Sequence, residues 1–403
     1  MALNYYINQK GEIPNTALSL TDGGALERAS RFHKTIPGYA PTPLVSLDHL
    51  AQKLGVAQVL VKDESRRFGL NAFKALGGSY AMARCLGQRL GWPEEKITFE
   101  ALMKPEVREK LGELTFVTAT DGNHGRGVAW AARQLGHKSV VYMPKGSARE
   151  RLDNIRAQGA QAEITDLNYD DAVRLANRMG KEHGWILVQD TAWPGYEEIP
   201  AWIMEGYTTI AWELFQHWRT WGAGCPPTCS SRPEWAASRG PYWASPLPRC
   251  GLGKDCPITC IVEPDRADCL YRSARAADGK IHPVTGEMNS MMAGLCCGEP
   301  CTISWEIIRP GAAAFLSCSD EYSAMGMRLL GRPEPGDPAV VSGESGAVGV
   351  GVLSAILHEE KLEDLRWSLG LNESSRVLCI STEGGHRPGQ LSKDRGGEGL
   401  TPR

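Results

Sequence analysis

The chain has no apolar run approaching the ~18–20 residues that a membrane span needs, which removes integral membrane function from the readings. It has no surplus of one charge either. Lys and Arg total 44 against 47 Asp and Glu, a net charge of −3, so the basic footprint of a nucleic-acid partner is missing. Cysteine is scarce for a disulfide scaffold, at 12 in 403 residues, and the expectation is reduced thiols. The amino-terminal MALNYYINQK lacks the charged-then-apolar layout of a secretory leader. These absences favour a cytoplasmic protein, and 403 residues with 42% hydrophobic content suit two packed domains.

Five cysteines, Cys225, Cys229, Cys250, Cys256 and Cys260, come close together. Their spacing departs from the C-x2-C knuckle of structural zinc sites, and small thiols without a metal are the expectation.

Short β-rich runs alternate with longer helical patterns. Strands are expected at 58–62, 115–119, 138–143, 161–165, 186–188, 258–263 and 376–381, and helices at 74–90, 124–135, 148–158, 170–183, 198–218 and 344–357. This alternation predicts an α/β protein of parallel sheets flanked by helices. VLCIS, apolar without alternation, fits a strand buried on both faces. In such sheets ligands collect beyond the carboxyl ends of the strands. Glycine-rich loops stand there: DGNHGRG at 121–127, SGESGAVGVG at 342–351 and STEGG at 381–385.

Residues 225–250, CPPTCSSRPEWAASRGPYWASPLPRC, break this pattern. They hold six prolines and no Ile, Val or Met, and that proline density argues against a central strand.

Lys74 is the first candidate for chemistry. It opens an expected helix, where the dipole disfavours a cation, and it sits among apolar Phe73, Ala75 and Leu76. That environment is expected to destabilise the ammonium and free an amine to attack a carbonyl; the plain alternative is a solvated surface lysine. Thr120-Asp121-Gly122-Asn123-His124-Gly125 ends a strand, and its glycines let the backbone approach a ligand. The plain alternative is a turn with Asp121 capping the next helix. Neither DGNHGRG nor GAVGVG has the glycine order of a dinucleotide fingerprint, which argues against a nicotinamide oxidoreductase.

PTPL at 41–44, N-x-F-K at 71–74, the T-D-G-N-H loop at 120–124 and Ser381-Thr382 after the last strand together resemble fold-type II pyridoxal-phosphate enzymes, the tryptophan synthase β-like group. VQDTAWPGYEEIPAWIMEGY, IVEPDRADC, MMAGLCCGEP and SGESGAVG narrow the resemblance to the diaminopropionate ammonia-lyase family, over about residues 10 to 384 without 225–250. The resemblance implies α,β-elimination of D- and L-2,3-diaminopropionate to pyruvate and two ammonia molecules. Pyridoxal 5′-phosphate would be held covalently by Lys74. Lys74 would act as base for the L-isomer and Asp121, where most dehydratases carry serine, for the D-isomer. Asn123 would bond the cofactor's 3′-oxygen, Phe73 would lie against its ring, and Thr382 would offer a hydroxyl to the ring nitrogen. Asp190 would orient or protonate substrate amines, its plain alternative being a helix cap. Glu344 would line the cofactor cleft, and Ala293-Gly294-Leu295 would meet substrate; Glu299 is a further candidate tether. A serine or threonine dehydratase of the same fold stays open, as does a catalytically impaired protein. The implied architecture is a larger domain of 1–79 and 185–403, a smaller one of 80–184, and a homodimer with an amino-acid substrate, no resident metal, no nucleic acid and no membrane.

The family's phosphate-binding glycine loop should fall between the helix at 198–218 and the strand at 258–263, yet 225–250 contains a single glycine, Gly240. With synonymous codons chosen to suit, a one-base change of reading frame at Pro226-Pro227 turns this segment into a strand followed by a glycine loop. The tail after Gly384 can be re-framed in the same way. A frameshifted translation is therefore the expectation for both segments, and resequencing the DNA tests it.

Overall fold

A computed structural model describes residues 1–9, 11, 23–220, 234–237 and 258–385. Eleven strands appear among them. β1 (Leu3–Ile7), β2 (Leu44–Ser46), β3 (Gln58–Asp63), β8 (Glu234–Ala237), β9 (Ile258–Pro264), β10 (Ala314–Cys318) and β11 (Arg376–Ser381) form one sheet in the order β1-β10-β9-β8-β11-β3-β2. Its outer pairs, β1 with β10 and β2 with β3, are antiparallel, and its interior pairs are parallel. β4 (Thr115–Ala119), β5 (Lys138–Met143), β6 (Gln161–Ile164) and β7 (Ile186–Leu187) form a second sheet, all parallel, in the order β6-β5-β4-β7.

Six longer helices matter for the site. They are α1 (Ala75–Leu90), α2 (Asn123–Gln134), α3 (Arg149–Arg156), α4 (Tyr169–His183), α5 (Glu198–Thr220) and α6 (Glu344–His358). The period of two in the strands explains why both faces of each sheet are covered. In β5, Val140 and Tyr142 pack with Val173 and Ala176 of α4 on one side, while Val141 and Met143 pack with Leu152 and Ile155 of α3 on the other. In the larger sheet, Val377 and Cys379 of β11 enter one core and Ile380 another. Helix α6 covers the first of these cores.

Helices α1 and α5 meet at closest approach beside the start of α1. A Cβ at Gly206 would stand 2.7 Å from the Leu76 carbonyl oxygen and 2.9 Å from the Gly77 Cα. Only glycine lets these two backbones touch. The expected domain boundary between 79 and 80 falls inside α1, which is continuous through it.

All seven expected strands form within one or two residues of their expected ends. β1, β2 and β10 were not anticipated. The expectation that 225–250 could hold no central strand is corrected: β8 pairs in parallel with both β9 and β11. Its four residues, Glu-Trp-Ala-Ala, contain no proline, and Pro233 stands just before them. The rest of 225–250, the residues after 385 and four of the five clustered cysteines lie outside the described residues, while Cys260 is buried in β9.

Candidate active site

The carboxyl ends of β4 and β7 open on one cleft, whose volume is about 750 Å³ counting its open mouth. Lys74, Asp121 and Asp190 all line it. Lys74 is the residue preceding the first turn of α1, and its Nζ donates to Asp190 Oδ2 at 2.7 Å, with the two side chains 14% and 10% exposed. Burial disfavours the ammonium, but the adjacent Asp190 carboxylate, with help from Tyr207 and Asp121, outweighs it and holds Lys74 above the ordinary lysine range. This corrects the expectation of a destabilised ammonium: the sequence shows the apolar neighbours, not the anion 116 residues away.

Asp190 is correspondingly held below the usual carboxylate range. Burial opposes ionisation, and the Lys74 ammonium, by its charge and its hydrogen bond, overcomes it. His124 is buried, with its Nε2 2.8 Å from the Val188 carbonyl oxygen and its Nδ1 3.8 Å from Asp190 Oδ2. A carbonyl only accepts, so Nε2 carries the hydrogen and a neutral ring turns the Nδ1 lone pair toward the carboxylate. Burial keeps the ring neutral, lowering its pKa. The Gln189 amide Nε2 donates to Asp190 Oδ1 at 3.2 Å and to the Tyr169 hydroxyl at 3.1 Å. Lys74 holds one oxygen of Asp190 and Gln189 the other, and the cap role is not what the structure assigns it.

Asp121 follows β4. Its Oδ2 accepts from Arg151 Nη1 of α3 at 2.9 Å. It does not cap α2, whose N-cap is Gly122. The Gly122 N–H donates to Thr120 Oγ1 at 2.9 Å, closing the loop.

The remaining candidates surround this cleft rather than line it. Phe73 packs its ring 4.8 Å from that of Tyr207, with Lys74 Nζ 5.6 Å from the Phe73 centroid. Its backbone N–H donates to the Thr382 carbonyl at 3.3 Å, joining the lysine loop to the end of β11. The Asn123 side-chain amide donates to Glu383 Oε2. Glu344 opens α6, and its buried Oε2 has no hydrogen-bond partner, nor has the neighbouring Ser345 Oγ. Ala293, Gly294 and Leu295 do line the cleft, as does Glu299, which accepts from Arg174 Nη2 at 2.7 Å.

The chemistry of this donor set fits an aldehyde cofactor. A buried amine opens into the cleft, an amide and a hydroxyl stand beside it, and two buried oxygens at the start of α6 have unused hydrogen-bonding capacity. Sequence reasoning did not single out Arg151, Tyr169, Gln189, Tyr207 or Glu383. Of these Glu383 carried a signal in its place in the STEGG loop after the last strand, and Gln189 and Tyr207 lie within the quoted stretch VQDTAWPGYEEIPAWIMEGY.

A family model described as "Pyridoxal-phosphate dependent enzyme" matches residues 35–382. The diaminopropionate ammonia-lyase of Salmonella typhimurium is 50% identical over 373 residues, covering 92% of this chain and 92% of its own. This chain belongs to the diaminopropionate ammonia-lyase family of pyridoxal-phosphate-dependent enzymes. A crystal structure of the Escherichia coli lyase, in complex with an aminoacrylate-PLP azomethine reaction intermediate, superposes with a TM-score of 0.84. It is 44% identical, and the match covers 98% of this chain and 96% of that one. Maize serine racemase, 19% identical with a TM-score of 0.68 over 93% of this chain and 97% of its own, shares the fold.

Proposed function

We propose that the protein cleaves 2,3-diaminopropionate, in both enantiomers, to pyruvate and two molecules of ammonia, consuming one water. The observation that carries this reading is the meeting of Lys74, Asp121 and Asp190 in one cleft of a chain 50% identical to curated lyases of that name. Pyridoxal phosphate, when bound, supplies the electron sink for the broken Cα–H bond. Lys74 holds it covalently through Nζ and, once released, takes the α-proton of the L-isomer. Asp121 takes the α-proton of the D-isomer from the other side. Asp190 receives the Lys74 ammonium in the resting chain, and its carboxylate orients the substrate's amino groups. Asn123 and Thr382 would supply polar contacts to the cofactor, Phe73 an apolar surface for its ring, and Glu344 a buried carboxylate at the start of α6.

Closure of the smaller sheet and its helices against the larger sheet excludes water during proton removal. The Asn123–Glu383 and Arg174–Glu299 bonds both cross between these units. A homodimer in the cytoplasm completes the reading. No helix among the described residues is long and apolar enough to cross a membrane.

Borohydride reduction of the loaded protein, followed by peptide mass mapping, tests the anchor. The expected adduct is on Lys74 and is lost in Lys74→Ala. Diaminopropionate should give pyruvate faster than serine does. A cofactor adduct elsewhere, or equal turnover of serine, defeats the reading.

A further inference from the structure

The strongest feature left unused by this chemistry is a buried cation. Arg151 stands in the first turn of α3, with its side chain only 11% exposed. Its Nη1 donates to Asp121 Oδ2 at 2.9 Å and lies 3.4 Å from the Asp121 main-chain oxygen, so one nitrogen meets both the side chain and the backbone of that residue. The loop is shaped to admit it: a Cβ at Gly122 would stand 3.0 Å from Arg151 Cδ and 3.4 Å from its Cβ and Cγ. The aliphatic stem of the arginine therefore runs along the bare backbone of Gly122. The guanidinium also faces Glu383 and Glu344, while Asp121 faces Lys74, His124 and Tyr169 from the other elements of the cleft.

We propose that Arg151 is the positioning residue that aims the Asp121 carboxylate, and so governs turnover of the D-enantiomer while leaving the L-enantiomer to Lys74. The inference rests on the reading of Asp121 as the D-face base. A carboxylate base must present one oxygen in a fixed direction. The ion pair does this, occupying Oδ2 and leaving Oδ1 to take the proton. Without the arginine, the carboxylate loses the bond that fixes its direction, and a base that points elsewhere removes no proton.

The full chain loaded with pyridoxal phosphate is assayed on each enantiomer as wild type, Arg151→Gln, Arg151→Lys and Asp121→Asn. Arg151→Gln is expected to lower kcat/KM for the D-isomer about a hundredfold, the low end of what one acid–base group contributes, with the L-isomer nearly unchanged. Arg151→Lys should recover part of the D-activity, and it carries the same comparison if the glutamine variant does not fold. A readout free of cofactor is the carboxyl 13C chemical shift of Asp121 in the unloaded chain at pH 7, which should move in Arg151→Gln as the ion pair at Oδ2 is lost. An equal loss for both enantiomers through KM alone would make Arg151 a grip on the substrate carboxylate and overturn the proposal. So would an unchanged D-to-L ratio. Asp121→Asn separates the two layers. If it keeps D-turnover, the base reading itself fails; if it loses D-turnover while Arg151→Gln does not, the role of Arg151 alone fails.

Discussion

Asp190 decides what state Lys74 is in before any ligand arrives. The pair is short at 2.7 Å and little exposed, so the carboxylate keeps the amine protonated against its own burial. Asp190→Asn removes the main effect opposing desolvation, and burial then lowers the Lys74 pKa. Each tenfold gain in the acidity of the ammonium raises the fraction of free amine at pH 8 about tenfold. Labelling with an amine-selective reagent, read on the Lys74 peptide, should accelerate by at least about tenfold, while turnover of diaminopropionate falls about a hundredfold. Unchanged labelling would show that the pair does not control the amine. The residues of this pair were visible in the sequence because each stands where a strand ends or a helix begins. Their interaction was not, and the same holds for Arg151, Tyr169 and Glu383. Asp121 and Arg151 are 30 residues apart, Tyr169 and Asp190 are 21, and Asn123 and Glu383 are 260. No local pattern marks a partner at such distances.

A buried polar layer fixes how the lysine loop leaves its sheet. Lys62 of β3 donates to Glu213 of α5 at 2.6 Å, Arg67 donates to Glu213 at 2.6 Å and to Glu64 at 2.9 Å, and all four side chains are at most 1% exposed. Two cations face two carboxylates, and Thr42 adds its hydroxyl to Glu64. Removing one carboxylate leaves a buried positive charge unmatched, which costs roughly 3–5 kcal/mol. Glu213→Gln should therefore lower stability by that amount at pH 7, measured by urea unfolding of the unloaded chain. The sign with pH follows from Glu213, which burial would raise but Arg67 and Lys62 depress to about 2. A depressed carboxylate contributes stability above its unfolded pKa of about 4.3 and loses it as pH falls toward the folded value. The difference between wild type and variant should shrink from about pH 4 downward. A gap that stays constant to about pH 3 would place the cost in packing rather than charge. At this scale the six site helices and seven strands were legible, because strand-like apolar runs alternate with amphipathic stretches there, whereas the helices Gly23–Lys34 and Asp320–Gly331 were not anticipated. Nor were β1 and β10. LNYYI and AFLSC are five residues each and gain strand character from their sheet partners: β1 pairs with β10, Leu3 opposite Cys318 and Ile7 opposite Ala314, and β10 pairs with β9 on its other side.

For the molecule as a whole the open quantity is the hold on the cofactor's phosphate. Family enzymes meet a phosphate with backbone N–H groups at a helix start, and 225–250 holds only Gly240 for that purpose. Glycine pairs flank the segment at Gly222-Ala223-Gly224 and Gly251-Leu252-Gly253, outside the described residues. If the segment is translated as it stands, the cofactor is held by the Lys74 bond and its ring contacts alone, and pyridoxal should bind nearly as tightly as pyridoxal phosphate. If the segment is frame-shifted, the chain translated from the resequenced gene should prefer the phosphorylated form strongly. Charge-assisted hydrogen bonds contribute ~1.5–3 kcal/mol each, so two such bonds already imply a preference of more than about a hundredfold. Absorbance titration of both chains with both aldehydes measures the ratio. A ratio near one for the chain as it stands and a large one for the corrected chain is the expected outcome. A large preference in the uncorrected chain would mean that its own residues supply the phosphate site, and the frameshift account would then have no work left to do.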